Sequence, residues 1–110
     1  MKTGTFVVVH LVAPREKFWG VLHETSPSGV TVRGIALDAF EGWAREVARG
    51  GETSSFPATV FFPLHRVERV FADETSGEVA SYGDRFEQIV GENVGRFLGS
   101  ATETSRKSRS

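Results

Sequence analysis

Short apolar runs separated by turn residues occupy the first third of the chain and predict three consecutive β-strands. Residues 6–12 form a β-branched run without polar alternation. Such a run is typical of a strand covered on both faces, so we expect it inside the sheet. A second strand over residues 18–24 and a third over residues 30–37 are separated by the turn signal Ser-Pro-Ser-Gly. The third strand should lie antiparallel to the second, and Gly20 should mark a bend or bulge.

Apolar residues recur at helical spacing after residue 38 and predict an amphipathic helix. Asp38 and Glu41 are spaced as in a capping box, and Gly50 can end the helix. The apolar positions of one helix face are Phe40, Trp43, Ala44, Val47 and Ala48. This face must lie on the sheet or over the open end of a barrel.

Two further strands follow a polar connection over residues 50–57. Residues 58–62 have the composition of a strand, and residues 65–71 that of a shorter strand with a solvated face. Pro63 cannot donate a hydrogen bond to a neighbouring strand. We therefore expect the edge of the sheet, or a sharp bend, at this proline.

A last apolar repeat predicts a C-terminal helix over residues 84–98, with Asp84 and Glu87 spaced as another capping box. Residues 99–110 are mostly serine, threonine and basic residues, which bury too little surface to offset their ordering entropy. We expect a disordered tail there. The element order predicts a single α+β domain over residues 1–98.

Composition and charge exclude several classes of protein. At 110 residues the chain fits one domain. Lys and Arg number 13 and Asp and Glu 14, so the net charge is −1 and a nucleic acid or membrane would have to meet a local patch. Cysteine is absent, which excludes disulfides and thiolate sites and favours the cytoplasm. The apolar run over residues 6–13 is too short for a membrane span or a signal-peptide core, so we expect no membrane partner.

No residue pattern predicts catalysis, a metal site or a cofactor. His10, His23 and His65 fall on separate predicted strands without the spacing of metal ligands. The carboxylates of Asp73 and Glu74 lie in a predicted turn, where solvation is the default. The sequence has no nucleophile elbow, phosphate loop or dinucleotide fingerprint. We therefore expect a protein that is not an enzyme.

Basic residues at several places are candidate nucleic-acid contacts, because arginine and lysine bind phosphates. One cluster lies in the first turn, a second lies on the last strand and its bend, and a single arginine lies on the third strand. The candidates are Arg15, Lys17, Arg33, His65, Arg66 and Arg69. The alternative is that the arginines pair with Glu16, Glu24 or Glu68 on a surface of mixed charge. Phe18 and Trp19 could likewise stack on a base or fill the core.

Two stretches resemble the sequence motifs of the Sm-like family, whose bacterial members include an RNA chaperone. Residues 7–11 (Val-Val-Val-His-Leu) followed by residues 18–22 (Phe-Trp-Gly-Val-Leu) resemble the first motif. Residues 60–61 and residues 65–70 resemble the second motif, a strand that bends and re-enters the sheet. The resemblance covers residues 6–71.

This resemblance implies a small five-stranded, strongly bent antiparallel sheet closed as an SH3-like barrel. Residues 38–57 would then be a helical insertion, followed after the barrel by the C-terminal helix. RNA is the ligand that the resemblance implies. The aspartate and asparagine that contact RNA in the family would fall near Ser26 and Val30, which cannot replace them.

The aromatic content favours a subunit interface as well. Nine phenylalanines and two tryptophans are many for one small core. In an Sm-like ring the edges of the fourth and fifth strands pair between subunits, and the residues expected to be buried only in the oligomer are Phe61, Phe62 and Val67. We therefore expect a homo-oligomeric binding module with RNA as the preferred ligand. The alternative is a protein–protein assembly module that binds no nucleic acid.

Overall fold

The structure is a computed structural model that describes residues 1–50 and 57–98. Most of the predicted polar connection and the whole of the predicted tail lie outside the described residues. In chain order, the elements are β1 (Phe6–Leu11), β2 (Glu16–Ser26), β3 (Gly29–Ala36), α1 (Leu37–Arg49), β4 (Ala58–Pro63), a 3₁₀ helix (Leu64–Arg66), β5 (Val67–Ala72), α2 (Tyr82–Val90) and α3 (Gly95–Leu98). None of the described helices combines the length and apolar character needed to cross a lipid bilayer.

The five strands of the described residues form one antiparallel sheet in the order β4-β3-β2-β1-β5. Strand β1 lies between β2 and β5, and its residues Val7, Val8 and Val9 are buried. The prediction that this run forms an interior strand is therefore confirmed. The antiparallel pairing of β3 with β2 is also as predicted.

The sheet bends strongly along β2, as two hydrogen bonds to the 3₁₀ helix demonstrate. The Leu64 N–H donates to the Ser28 carbonyl oxygen at 2.8 Å, and the Val12 N–H donates to the Arg66 carbonyl oxygen, also at 2.8 Å. Ser28 and Val12 flank opposite ends of β2, which would span roughly 35 Å if it were straight. Leu64 and Arg66 are neighbours within one short helix, so β2 must curl to bring both turns to it.

Gly20 and Gly34 permit this curl. They face each other across β2 and β3. A Cβ on Gly20 would lie 2.1 Å from the Arg33 carbonyl oxygen, and one on Gly34 would lie 1.9 Å from the Trp19 carbonyl oxygen. Only glycine allows the two backbones to approach this closely. A β-bulge farther along β2, between Leu22 and Glu24, adds to the curvature, and at Gly20 itself the structure shows the close approach of β2 to β3.

The curled sheet buries an apolar core on each of its faces. The inner core contains Val7, Val9, Leu11, Leu22, Val30, Val32 and Phe62. The outer core lies under α1, α2 and α3 and contains Val8, Trp19, Val21, Ile35, Phe40, Trp43, Ala44, Phe86, Val94 and Leu98. Because successive residues of a strand point to opposite faces, β1 contributes side chains to both cores and therefore needs apolar residues on both faces.

Helix α1 begins before the predicted cap. Its N-cap is Ala36, whose side chain cannot accept a hydrogen bond from the helix N–H groups. Asp38, the predicted cap, lies in the first turn of the helix. Gly50 follows the helix in the left-handed conformation with φ of 76°, as predicted. The residues of the predicted stripe that are buried are Phe40, Trp43 and Ala44.

The predicted C-terminal helix is divided in two. The N-cap of α2 is Ser81, whose hydroxyl accepts a hydrogen bond from the Asp84 N–H at 3.0 Å, so the predicted cap at Asp84 is wrong. Gly91 ends α2 with φ of 86°, and α3 follows as a short turn of helix from Gly95. A glycine in the left-handed conformation interrupts the helix while the apolar repeat continues.

The fifth strand starts later than predicted. His65 and Arg66 lie in the 3₁₀ helix, and β5 begins at Val67. Pro63 is the last residue of β4, which is an edge strand of the described sheet. Proline has no N–H to donate, and an edge strand tolerates this loss. Val70 contacts the inner core, so β5 has the half-solvated character that its sequence predicted.

Candidate nucleic-acid interface

Neighbouring strands place Lys17, His10 and Arg69 side by side. His10 on β1 is the register partner of Lys17 on β2 and of Arg69 on β5. Val9 and Leu11 point into the inner core, so His10 and its partners point outward. Directly paired residues lie about 5 Å apart at Cβ. We call Lys17, His10 and Arg69 the basic row.

The basic row carries positive charge that no carboxylate of residues 1–50 and 57–98 neutralises in an ion pair. Among the described residues, neither Lys17 nor Arg69 forms an ion pair. Partial burial, followed by repulsion from Lys17 and Arg69, lowers the pKa of His10 below its usual value, and attraction to Glu68 opposes this only in part. The lowered pKa favours the uncharged imidazole at neutral pH, which presents one hydrogen-bond donor and one acceptor.

An exposed phenylalanine lies next to the basic row. Phe71 on β5 is 41% exposed, and its ring centroid is 5.0 Å from that of His10 in an edge-to-face arrangement. Phe71 also lines a cleft of about 560 Å³ between β5 and the segment that leads to α2. Tyr82, the first residue of α2, lines the same cleft and is 37% exposed.

Asp73 fastens that segment to the sheet. Its carboxylate accepts hydrogen bonds from the Trp19 indole Nε1 at 2.9 Å, the Tyr82 N–H at 2.9 Å and the Gly83 N–H at 3.0 Å. The expectation of a solvated turn carboxylate is therefore wrong for Asp73, although Glu74 is exposed. Its indole partner is 54 residues away in sequence, so no local pattern could reveal this role.

Arg66 holds the β1–β2 turn to the 3₁₀ helix. Its Nε donates to the Val12 carbonyl oxygen at 3.0 Å, and its Nη2 donates to the Pro14 carbonyl oxygen at 2.7 Å. The same Nη2 lies 3.6 Å from Glu16 Oε1. The alternative in which a candidate arginine pairs with a nearby glutamate is therefore observed for Arg66.

Arg15 lies in the exposed β1–β2 turn. Together with Lys17 it lines a second cleft, of about 340 Å³, which also contains Glu16 and Asp38. Both signs of charge meet there. The cleft therefore offers a phosphate group less net attraction than the basic row does.

Arg33 and His65 lie apart from the basic row. Arg33 is on β3, where its Nη1 is 3.5 Å from Thr59 Oγ1 on β4. His65 is exposed on the 3₁₀ helix. Arg33 is the register partner of Val21, four residues along β2 from Lys17, and His65 lies outside the strands, so neither candidate is a member of the basic row.

The structure therefore regroups the sequence candidates. Lys17 and Arg69, which sequence position puts in different clusters, lie on one row, whereas Arg66 and Arg69 serve different surfaces. The sequence did not point to His10 or Phe71 as members of this site. Their membership follows from the pairing register of β1 with β2 and β5, which a single sequence does not encode locally.

The aromatic interface candidates divide in a similar way. Phe62 is only 6% exposed and its ring meets that of Phe18 at a centroid distance of 5.1 Å. Its burial needs no second subunit, so the expectation that it is buried only in an oligomer is wrong. Val67 is partly buried against the inner core. Phe61 is 50% exposed on β4, and Leu64 beside it is exposed as well.

Metal-ligating side chains do not converge in residues 1–50 and 57–98. No group of three or more histidine, aspartate or glutamate side chains there could hold a metal ion. His10, His23 and His65 lie on β1, β2 and the 3₁₀ helix respectively.

Comparisons with known proteins return no match. No model of a protein family, no curated protein and no solved structure matches the chain. The Sm-like resemblance stays a prediction, and the function has to be argued from the residues and their geometry.

Proposed function

We propose that this protein is a non-enzymatic binding module that holds single-stranded RNA across the basic row and Phe71. The observation that carries the proposal is the cross-strand row of Lys17, His10 and Arg69 beside an exposed aromatic ring. Unpaired cations on a sheet face suit phosphates, and an exposed ring suits an unpaired base. Single strands suit this surface better than duplex, because their bases are free to stack on protein rings.

Each member of the surface has a distinct role in this proposal. Lys17 and Arg69 contact successive phosphates, and neutral His10 exchanges a hydrogen bond with a phosphate oxygen or a ribose hydroxyl. Phe71 stacks on a base next to them. The absence of cysteine suits the reducing cytoplasm, where we expect the protein to act.

The finer fold assignment that goes with this function is an SH3-like barrel of the Sm-like type. The strand order with β4 and β5 at the two edges supports it, as does the short 3₁₀ helix that joins them. The curl at Gly20 gives the sheet the curvature that closure needs. Helix α1 then occupies the predicted insertion between the third and fourth strands.

The experiment for RNA binding measures affinity for oligoadenylate by fluorescence anisotropy over a range of salt concentrations. Lys17→Ala and Arg69→Ala should each weaken binding, and each should reduce the slope of log affinity against log salt by about 0.7. Lys2→Ala is the matched control, since Lys2 is exposed in the N-terminal segment outside the basic row. An affinity that does not change with salt would contradict the proposal, and so would equal losses in Lys2→Ala and Lys17→Ala.

Arg66→Ala distinguishes a structural arginine from a phosphate contact. The substitution removes hydrogen bonds to the carbonyl oxygens of Val12 and Pro14. We expect it to lower the urea midpoint of unfolding while leaving the salt slope of RNA binding unchanged. A reduced salt slope in a stably folded Arg66→Ala protein would instead add Arg66 to the RNA surface.

Protein–protein assembly is the second candidate function, and the edge of β4 favours it. Among the described strands β4 pairs only with β3, so its outer N–H and C=O groups face no neighbour. Phe61 and Leu64 add exposed apolar surface beside that edge. Pairing of this edge with β5 of another copy would cover both edges and close a ring.

A further inference from the structure

We infer that the cleft beside Phe71 receives one unstacked base of an RNA strand whose phosphates lie on the basic row. The inference rests on the proposed function and adds the site and chemistry of base recognition to it. We call this the base cleft. The lining residues used in the argument are Val8, Phe71, Ala72, Glu74, Val79 and Tyr82.

The size and lining of the base cleft suit a flat heteroaromatic group. Its volume of about 560 Å³ lies in the range of small-molecule sites. Val79, which is exposed, supplies apolar surface from the segment before α2, and Ala72 and the buried Val8 line the cleft from the sheet. Phe71 and Tyr82 both line the cleft, and both residues keep more than a third of their surface exposed. A base inserted there would cover apolar surface that the chain itself leaves open.

Internal hydrogen bonds hold the cleft in shape before a ligand arrives. Asp73 joins the start of the segment to Trp19 and to the first N–H groups of α2. Thr75 Oγ1 accepts a hydrogen bond from the Ser81 N–H at 3.0 Å and donates to the Asp84 carboxylate. A base therefore meets a wall whose backbone is already ordered, which limits the entropy lost on binding.

Charge separates the base from the phosphates. Glu74 is exposed, lines the cleft and has no ion-pair partner among the described residues. Its carboxylate repels a phosphate but accepts hydrogen bonds from the amino groups of adenine or cytosine. Uracil offers only one N–H, and the two carbonyl oxygens beside it repel the negatively charged carboxylate. The cleft should therefore prefer a base with an exocyclic amino group.

The base cleft and the basic row are continuous through Phe71. Phe71 lines the cleft, and its ring lies against the His10 ring with a centroid separation of 5.0 Å. Arg69 and Lys17 lie on either side of His10. A nucleotide whose base enters the cleft therefore has its phosphates directed toward the cations.

The first test compares oligoadenylate with an abasic ribose-phosphate chain of the same length, using fluorescence anisotropy. Oligoadenylate should bind the unaltered protein about tenfold more tightly, as the loss of one stacked base predicts. Tyr82→Ala should remove most of this advantage. Phe97→Ala is the matched control, since Phe97 on α3 has the same exposed fraction, 37%, and does not line the cleft.

The second test addresses base preference with a variant that does not alter the fold. The unaltered protein should bind oligoadenylate about fivefold more tightly than oligouridylate, and Glu74→Gln should bring this ratio close to one. Glu78→Gln is the control, because Glu78 is exposed in the same segment but does not line the cleft. It should leave the ratio unchanged.

The outcomes separate the inference from the proposed function. If RNA binding depends on Lys17 and Arg69 but the abasic chain binds as tightly as oligoadenylate, the base cleft and the stacking role of Phe71 are refuted, and the phosphate contacts of the basic row stand. An unchanged ratio in Glu74→Gln would refute the assigned role of its carboxylate. If no RNA binds to the unaltered protein, the proposed function and the inference both fail.

Discussion

Gly20 and Gly34 face each other across β2 and β3, and neither position has room for a Cβ atom. The obstructing atoms are backbone atoms of the paired strand, which cannot move without opening the ladder. The curl of the sheet, and with it the inner core, depends on this close approach. A single methyl group at either position should therefore disturb the packing of many residues.

We expect Gly20→Ala to lower the free energy of unfolding by about 3 kcal/mol, at the upper end of the usual penalty for overpacking. Urea denaturation followed by tryptophan fluorescence measures the change. Gly42→Ala is the matched control, since Gly42 is exposed within α1 and a Cβ there meets nothing within 4 Å. It should raise the free energy of unfolding by about 0.5–1 kcal/mol. Similar effects at both positions would contradict the close approach at Gly20.

Asp73 is a second residue on which the fold depends. Asp73→Ala would leave the buried Trp19 indole N–H and two backbone N–H groups of α2 without their acceptor. We expect the free energy of unfolding to fall by about 3 kcal/mol, since unsatisfied buried donors carry their full desolvation penalty. Glu74→Ala, one residue away and exposed, should change it by less than about 0.5 kcal/mol. Equal stability of the two variants, measured in urea, would show that the Asp73 hydrogen bonds contribute nothing net.

Helices α1 and α2 are held to each other and to the sheet by aromatic side chains. The Trp43 and Phe86 rings of the outer core lie 5.0 Å apart between their centroids. At the rim, Arg85 on α2 donates to Glu41 on α1 at 2.8 Å. This hydrogen bond lowers the pKa of Glu41, but both side chains are close to half exposed, so the apolar contact dominates.

The start of α2 is an element-level feature that can be tested by substitution. Ser81→Ala removes the side-chain acceptor of the Asp84 N–H and should lower the free energy of unfolding by about 1 kcal/mol. Ser76→Ala is the control, because Ser76 is exposed in the preceding segment and bonds there through its backbone. The urea midpoints of the two variants should differ clearly. Identical midpoints would rule out Ser81 as an energetically significant cap.

At the scale of the whole molecule, the edge of β4 raises the question of assembly. We expect the purified chain to form a closed oligomer whose mass, measured by light scattering, is the same at low and high salt. Phe61→Asp should dissociate it, because the substitution places a charge in an apolar contact. Phe97→Asp should leave the mass unchanged, since Phe97 is exposed on α3, outside both edge strands. A monomer at both salt concentrations would refute the ring and favour a domain that binds a different protein.

The sequence by itself determined the elements and their character. Strand β1 could be predicted as an interior strand because its residues do not alternate between apolar and polar. Gly50 could be predicted to end α1 because it follows the apolar repeat of the helix. These features are encoded by residues close together in the chain, where periodicity and backbone preference act directly.

Only the tertiary structure decided which residues act together. The row of Lys17, His10 and Arg69 depends on the pairing register of distant strands, and Asp73 finds its indole partner far away in sequence. Arg66 was a candidate ligand contact by composition, yet its guanidinium holds a turn. The physical reason is that strand pairing and burial are set by the sum of contacts across the fold. A single sequence does not reveal that sum locally.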